Sequence, residues 1–270
     1  MMSPPAYRIE LNGAPAQVNA LHLLVQTNYG HFTSMQVREG CVRGLGLHLD
    51  RLACATRELF GSELNRDLVR AYLHQAIGAD LRPLSLRVNV FSRALDRARM
   101  NVPANVDVLV SVGAAAPAVA APLRLKTFGY QRELSAIKHV GTFPLFHYRR
   151  LAQQAGCDDA LFVAADGRVS EGSVWNIVFF DDNGAIWPEA PQLHGISLQL
   201  LRAGLARRGA PGKAQPIRIA DLPRLRGAFF TNSSVPVQPI ARIDDIEFAA
   251  DAALIGKLAD AYESNPLEPV

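Results

Sequence analysis

Lysine is scarce in this chain. Among 28 basic residues only four are lysines, at positions 126, 138, 213 and 257, and the rest are arginines. Such an arginine excess reads first as a bias in the nucleotide composition of the source genome. The arginines are dispersed and the formal net charge is only +3. The dense basic runs that mark a nucleic acid or a membrane surface as partner are missing. Cysteine is scarce too: Cys41, Cys54 and Cys157 are odd in number, scattered and not spaced as metal ligands. That argues against a disulfide framework and against a metal site, and makes the reducing cytoplasm the expected compartment. No apolar run approaches the ~20 residues needed to span a bilayer. The opening MMSPPAYRIELNG has no basic stretch followed by an apolar core, so no secretory signal is expected there.

What is present fits a globular protein. Apolar residues make up 49% and charged residues 20% of 270 positions, enough for one large domain or two ordinary ones. YRIELNGAPAQV places Asn12-Gly13 between two extended runs, a hairpin signal. HFTSMQV alternates apolar and polar residues, turns at Arg38-Glu39-Gly40 and resumes at CVRGL. LHLDRLACATRELFG sets Leu49, Leu52, Ala53 and Phe60 on one helical face, with Thr56 in the same stripe, and ends at Gly61. A second helix is predicted near 66–77, followed by strands in SLRVNVFS and VDVLVSV.

GAAAPAVAAP, residues 113–122, carries no charge, no large side chain and two prolines, which argue against a long helix. It reads as a linker, giving an N-terminal α/β domain over 1–112 and a second domain over 123–270. The second part again mixes elements. LRLKTFG reads as a strand, 143–156 as a helix, and ALFVAADGRVSEG as a strand turning at Asp166-Gly167. VWNIVFFDDNGAIW reads as a hairpin turning at Asn183-Gly184. Residues 196–208 have helical periodicity, GAFFTN reads as a buried strand, and 248–263 as an amphipathic helix. No internal repeat is visible. The fold class is mixed α/β in two lobes.

Lys138, in SAIKHVGTF, is the first candidate for chemistry. An arginine stays protonated, whereas a desolvated lysine can lose its proton and attack a carbonyl. The bland alternative is an exposed lysine at a strand-to-helix junction. Glu171, in DGRVSEGSVWN, is either an ordinary loop carboxylate or the partner of a cationic ring nitrogen. Gly195 precedes a helical run with Ser197 in its first turn, suited either to plain capping or to a phosphate. FFTNSSVPVQPI ends a strand on Thr231, Asn232, Ser233 and Ser234, again turn chemistry or anion donors. Arg51, in HLDRL, either snorkels to solvent or forks onto a phosphate.

The order of these motifs is more specific than any one of them. HLDRL, a lysine, EG..WNI some thirty residues on, L.GIS and a polar strand end followed by PI resemble the class IV, or fold-type IV, pyridoxal-phosphate enzymes. This family includes branched-chain and D-amino-acid aminotransferases and aminodeoxychorismate lyase. The resemblance runs from about Tyr29 to Ile243, and GCDDALFVAADGRVSEGSVWNIVFF is its most specific part, similar to the family's G.deal..d..G.v.E...sNiF pattern. It implies a small N-terminal α/β domain, a larger C-terminal mixed α/β pseudo-barrel that binds pyridoxal 5'-phosphate, and a homodimer. Lys138 matches the lysine that forms the internal aldimine, and Glu171 the partner of the pyridine nitrogen. Arg51 matches the phosphate-contacting arginine of H..RL. Gly195, Ile196 and Ser197 match the G-I-T turn whose N–H groups bind the phosphate, and Asn232 and Ser233 fall on the family's second phosphate-binding turn. Asn176 matches a structural asparagine. His31, Phe32 and Thr33 replace residues of the substrate-side strand and are expected in the substrate pocket.

The resemblance implies amino transfer between an amino acid or amine and a 2-oxo acid, in ping-pong half-reactions with Lys138 as the general base at Cα. The rival is β-elimination of the aminodeoxychorismate lyase type, giving 4-aminobenzoate and pyruvate. FTSMQVREGCVRGLGLHLDRL is similar to that lyase's FTT.RV..G.V..L..H..RL, whereas no R-G-Y or T-R-G motif stands near 85–100. Phe143 stands where the family often has tyrosine, and KHV lacks the lyases' Asn. The aminotransferase is the favoured reading. A non-catalytic pyridoxal-phosphate carrier and a plain interaction module are the readings from other classes; keeping both Lys138 and Glu171 argues against the carrier.

Overall fold

The computed structural model describes residues 8–115 and 121–270. The chain divides into two compact units. The first contains 8–115 together with 137–141 and 267–270, and the second contains the remaining described residues. Two segments of the expected second domain, the one carrying Lys138 and the C-terminal tail, are therefore grouped with the first unit. The centre of the expected linker, 116–120, lies outside the described residues, as do residues 1–7; Gly113 and Ala114 belong to a strand.

In the first unit the strands are β1 Arg8–Leu11, β2 Ala14–Pro15, β3 His31–Val37, β4 Cys41–Arg43, β5 Leu84–Phe91 and β6 Asp107–Ala114, and the helices are α1 His22–Thr27, α2 Leu45–Phe60 and α3 Arg66–Ile77. The sheet runs β2-β1-β6-β5-β3 with every pairing antiparallel. Asn12 and Gly13 both take positive φ, 51° and 77°, as a two-residue hairpin turn requires. Strand alternation then divides the side chains. Met35, Val37, Leu86, Val88, Val90, Val110 and Val112 turn to α2 and α3 and pack on Leu45, Leu49, Leu52, Val69 and Leu73. Phe32, Ser34 and Gln36, paired with Asn89, Arg87 and Ser85, form the opposite face. Helix α2 ends where Gly61 adopts φ 61°, a left-handed cap that glycine takes without steric cost.

The second unit contains β7 Leu123–Gly129, α4 Phe143–Gln154, β8 Asp159–Val163, β9 Val169–Gly172, β10 Asn176–Asp181, β11 Gly184–Pro188, α5 Ile196–Arg207, β12 Lys213–Gln215, β13 Gly227–Thr231, β14 Gln238–Ile243, β15 Ile246–Glu247 and α6 Ala252–Glu263. The order β10-β13-β14-β7-β8-β9 closes on itself through the Asn176–Glu171 pair of β10 and β9, giving a six-stranded barrel. Its strands are apolar on both sides, which is why NIVFFD and GAFFT read as continuous runs. Ile177, Phe179 and Phe230 fill one cluster, while Val178, Phe180 and Phe229 pack under α5 and α6. Each such fully buried phenylalanine contributes about 1.5–3 kcal/mol through removal of apolar surface from water.

Several expected boundaries shift. The β10–β11 hairpin turns on Asp182-Asn183, one residue earlier than expected, because Gly184 already pairs with Asp181. Helix α6 starts at Ala252, since the Asp251 carboxylate accepts from the N–H groups of Ala253 and Leu254 and so fixes the first turn. A final strand, β16 Leu267–Pro269, pairs with β4 in the first unit. Glu268 holds it there by accepting from the Gly46 N–H at 3.1 Å. No helix of the described residues is long and apolar enough to cross a membrane.

Candidate active site

In the first unit the lysine segment extends the sheet edge. The Phe32 N–H donates to the Lys138 carbonyl at 2.9 Å, the Val140 N–H donates to the Gly30 carbonyl at 2.9 Å, and His31 and His139 form an antiparallel bridge. This register places Lys138 beside Phe32, and the lysine Nζ lies 4.8 Å from the Phe32 ring centroid. On the other side of the sheet His31 and Thr33 turn inward to α2. His31 Nε2 bonds Thr56 Oγ1 at 3.0 Å, and Thr33 Oγ1 bonds His48 Nδ1 at 2.6 Å. Both histidines are buried, and burial lowers the pKa of each to about 3; nearby Arg51 and then Lys138 add to the effect at His48. They are neutral at physiological pH. The pocket expectation for His31 and Thr33 is corrected here: strand alternation commits both to the helix-covered interior and leaves Phe32 on the lysine's face. Arg51 follows His48 by three residues on α2 and is half-buried.

In the second unit Glu171 lies on β9, 3% exposed, and its Oε1 accepts from Arg132 Nε at 3.1 Å. Arg132 is itself 4% exposed. Glu171 pairs in register with Asn176 across β9 and β10. The short connection between them is held by Asp159, whose carboxylate accepts from Ser173 Oγ at 2.6 Å, Trp175 Nε1 at 2.9 Å and Arg149 Nη2 at 2.7 Å. Asn176 in turn donates through Nδ2 to the Leu193 carbonyl at 2.7 Å and to Gln192 Oε1 at 2.9 Å. It thereby fixes the chain that leads into α5.

Gly195 is the N-cap of α5, and no side chain caps the first turn. A β-carbon at this position would run into the Asn176 side-chain oxygen, so the close approach requires glycine. Ser197, in that first turn, is 2% exposed, and its hydroxyl has no hydrogen-bond partner among the described residues. The same is true of the buried Thr231 hydroxyl at the end of β13. After Thr231, Asn232 Oδ1 accepts from the Ser234 and Val235 N–H groups at 2.9 and 2.8 Å, closing a tight turn in which Ser233 is half-buried. An uncapped helix start with orphaned hydroxyls has the donor chemistry of an anion cradle. Arg132 and Asp159 escaped the sequence reading. The only signal for Arg132 was an arginine six residues before the lysine, and for Asp159 an acidic pair after Gly156.

Comparison with known proteins decides the family. The model for amino-transferase class IV matches residues 30–243 of the chain. The chain belongs to the class IV aminotransferase family. Among solved structures, this class IV protein is similar to a branched-chain aminotransferase of Thermoproteus uzoniensis, with TM-score 0.85, 18% identity and coverage of 96% of this chain and 94% of that one. A fold IV transaminase of Curtobacterium pusillum gives TM-score 0.75, 23% identity and coverage of 88% and 84%. A hypothetical aminotransferase of Mycobacterium tuberculosis in its PLP-bound form gives 0.81, 19% and coverage of 95% and 97%. At these identities the likeness establishes the fold-type IV architecture. No curated protein matches the chain by sequence.

Proposed function

We propose that this class IV protein is a pyridoxal-phosphate-dependent aminotransferase that exchanges an amino group between an amino acid or amine and a 2-oxo acid. The observation that carries the reading is the family match across 30–243, which spans both Lys138 and Glu171. The residues present fit the cofactor. The uncapped start of α5 with the orphaned Ser197 hydroxyl, the turn at Asn232-Ser233 and the Arg51 guanidinium suit a phosphate, and the buried Glu171 carboxylate suits a protonated ring nitrogen.

Bound pyridoxal phosphate supplies a carbonyl that condenses with amines and a ring that withdraws electrons from the substrate's Cα. Lys138 gives its Nζ as the anchoring amine, and once displaced takes the proton from Cα and returns it. An arginine could not do this, because it neither condenses with a carbonyl nor gives up its proton at neutral pH. Glu171 accepts the hydrogen bond of the ring nitrogen and holds the proton there. Arg132 fixes one carboxylate oxygen of Glu171 and matches its charge. Two half-reactions on one site give ping-pong kinetics.

The test is optical and chemical. Purified protein should be yellow, and borohydride should fix a pyridoxyl mass on the peptide containing Lys138. Lys138→Arg should leave the fold and remove both the modification and turnover. A colourless protein that stays unmodified after added cofactor refutes the reading. The lyase alternative rests on the FTSMQV stretch with Thr33 in place of the transaminases' frequent glutamate. Pyruvate release from aminodeoxychorismate without accumulation of the pyridoxamine form would select it.

A further inference from the structure

The reading above gives the amine chemistry to Lys138 and leaves open how the substrate's own charge is recognised. One residue of the first unit stands out. Arg87 lies on β5 opposite Ser34 of β3, on the sheet face that also carries Phe32 and Asn89. Its guanidinium carbon stands 3.6 Å from the Phe32 ring centroid, a close stack that fixes the plane of the fork. Its Nε donates to Asn89 Oδ1 at 3.1 Å, and Asn89 is 7% exposed, so the orienting group is itself held in the fold.

The two terminal nitrogens have no carboxylate among the described contacts of Arg87. The contrast with the other interior arginines is plain, since Arg132 has Glu171 and Arg149 has Asp159. Arg87 keeps an exposed edge, yet the protein around its guanidinium desolvates it enough to lower its pKa, and it remains a cation at neutral pH. A flat, oriented and uncompensated guanidinium is the chemistry that takes a carboxylate with two parallel hydrogen bonds.

The location ties this cation to the reaction. The Phe32 ring that carries Arg87 at 3.6 Å also has Lys138 Nζ at 4.8 Å. An amino acid carries its amine and α-carboxylate on one carbon, and a dicarboxylate adds a second acid a few bonds away. We propose that Arg87 is a specificity-determining residue that binds a carboxylate of the amino-acid or 2-oxo-acid substrate, with Phe32 as its platform and Asn89 as its orienter. This rests on the aminotransferase reading for the identity of the ligand.

The test uses full-length unsubstituted, Arg87→Gln and Arg87→Lys proteins with cofactor added. Each is titrated calorimetrically with two inert probes, 4-methylpentanoate as a monocarboxylate and glutarate as a dicarboxylate, while the absorbance spectrum reports cofactor binding separately. Arg87→Gln should weaken carboxylate binding about tenfold or more, from the loss of a charge-assisted pair. Arg87→Lys should recover part of it, since a point charge cannot fork, and the cofactor spectrum should be unchanged in all three. A loss confined to glutarate assigns the residue to a distal carboxylate; a loss for both probes assigns it to the α-carboxylate. Equal affinities in Arg87→Gln and unsubstituted protein, or no carboxylate affinity at all, overturn the proposal. A colourless unsubstituted protein overturns the aminotransferase reading instead, and the titration still judges Arg87 by itself.

Discussion

Arg132 and Glu171 form a buried ion pair, Nε to Oε1 at 3.1 Å, with side chains 3% and 4% exposed. Thirty-nine residues separate them, and nothing in the local pattern around either announces the other. Two charges removed from water cost several kcal/mol each before their attraction is counted, so the pair as a whole adds little net stability. Removing one partner is a different matter, because the remaining charge stays buried and unmatched.

Arg132→Met is therefore expected to destabilise the fold by about 3–5 kcal/mol, and Glu171→Met by a similar amount. The double variant Arg132→Met/Glu171→Met should recover much of that loss, since both charges are gone and two apolar side chains fill the space. Urea unfolding of the four proteins gives the coupling directly. Additive losses would show that the two residues act independently.

The buried histidines predict acid sensitivity. His31 and His48 have folded pKa values of about 3 against an ordinary value near 6.5, so the unfolded chain takes up protons that the folded chain refuses. Stability from this source is present in full above pH 6.5 and is lost as the pH falls from there towards 3. The slope approaches about 2.7 kcal/mol per pH unit for the two together. Between pH 6.5 and 4.5 most carboxylates are still ionised in both states, so unfolding free energies measured over that window isolate the histidines. A flat profile there would mean that one or both rings are charged in the folded protein.

What was legible in the sequence was what is local or what repeats a family pattern. The stripe Leu49, Leu52, Ala53 and Phe60 with Gly61 after it fixed α2 almost to the residue, because helix periodicity and a left-handed cap are properties of adjacent positions. Asn12-Gly13 fixed the first hairpin for the same reason. Relations across the chain left no such trace. The stack of Arg87 on Phe32 is set by strand register across 55 positions, and the side on which His31 falls depends on which face of β3 the helices cover. The parallel pairings of β7 with β8 and β14 arise between strands far apart in sequence. The family motif located Glu171 and Lys138 without supplying the contacts around them.

Gly204 on α5 shows where packing overrides propensity. Replacing a helical glycine by alanine gains about 1 kcal/mol from backbone entropy alone. A β-carbon at Gly204, however, would run into the backbone of Ala261 on α6. A rigid backbone contact gives way only by separating the helices, at a cost of about 1–3 kcal/mol. Gly204→Ala should thus lower the melting temperature, and Gly204→Leu should lower it further. An increase with alanine would mean that α5 and α6 stand farther apart than this contact requires.

Asn176 links the barrel to the proposed phosphate cradle, and its replacement tests that link. Its Nδ2 donates to Leu193 and Gln192, and its side-chain oxygen lies against Gly195. Asn176→Asp keeps the shape but replaces the donor with a carboxylate that faces carbonyl oxygens. Losing those bonds in a buried position costs about 1–3 kcal/mol, and the part of that cost felt at 192–197 should appear in cofactor affinity. The expected result is a pyridoxal phosphate Kd raised about tenfold or more, with Lys138 still open to borohydride fixation at saturating cofactor. Asn176→Asp proteins that fold less stably yet bind the cofactor as tightly as before would confine Asn176 to the barrel and detach it from the phosphate cradle.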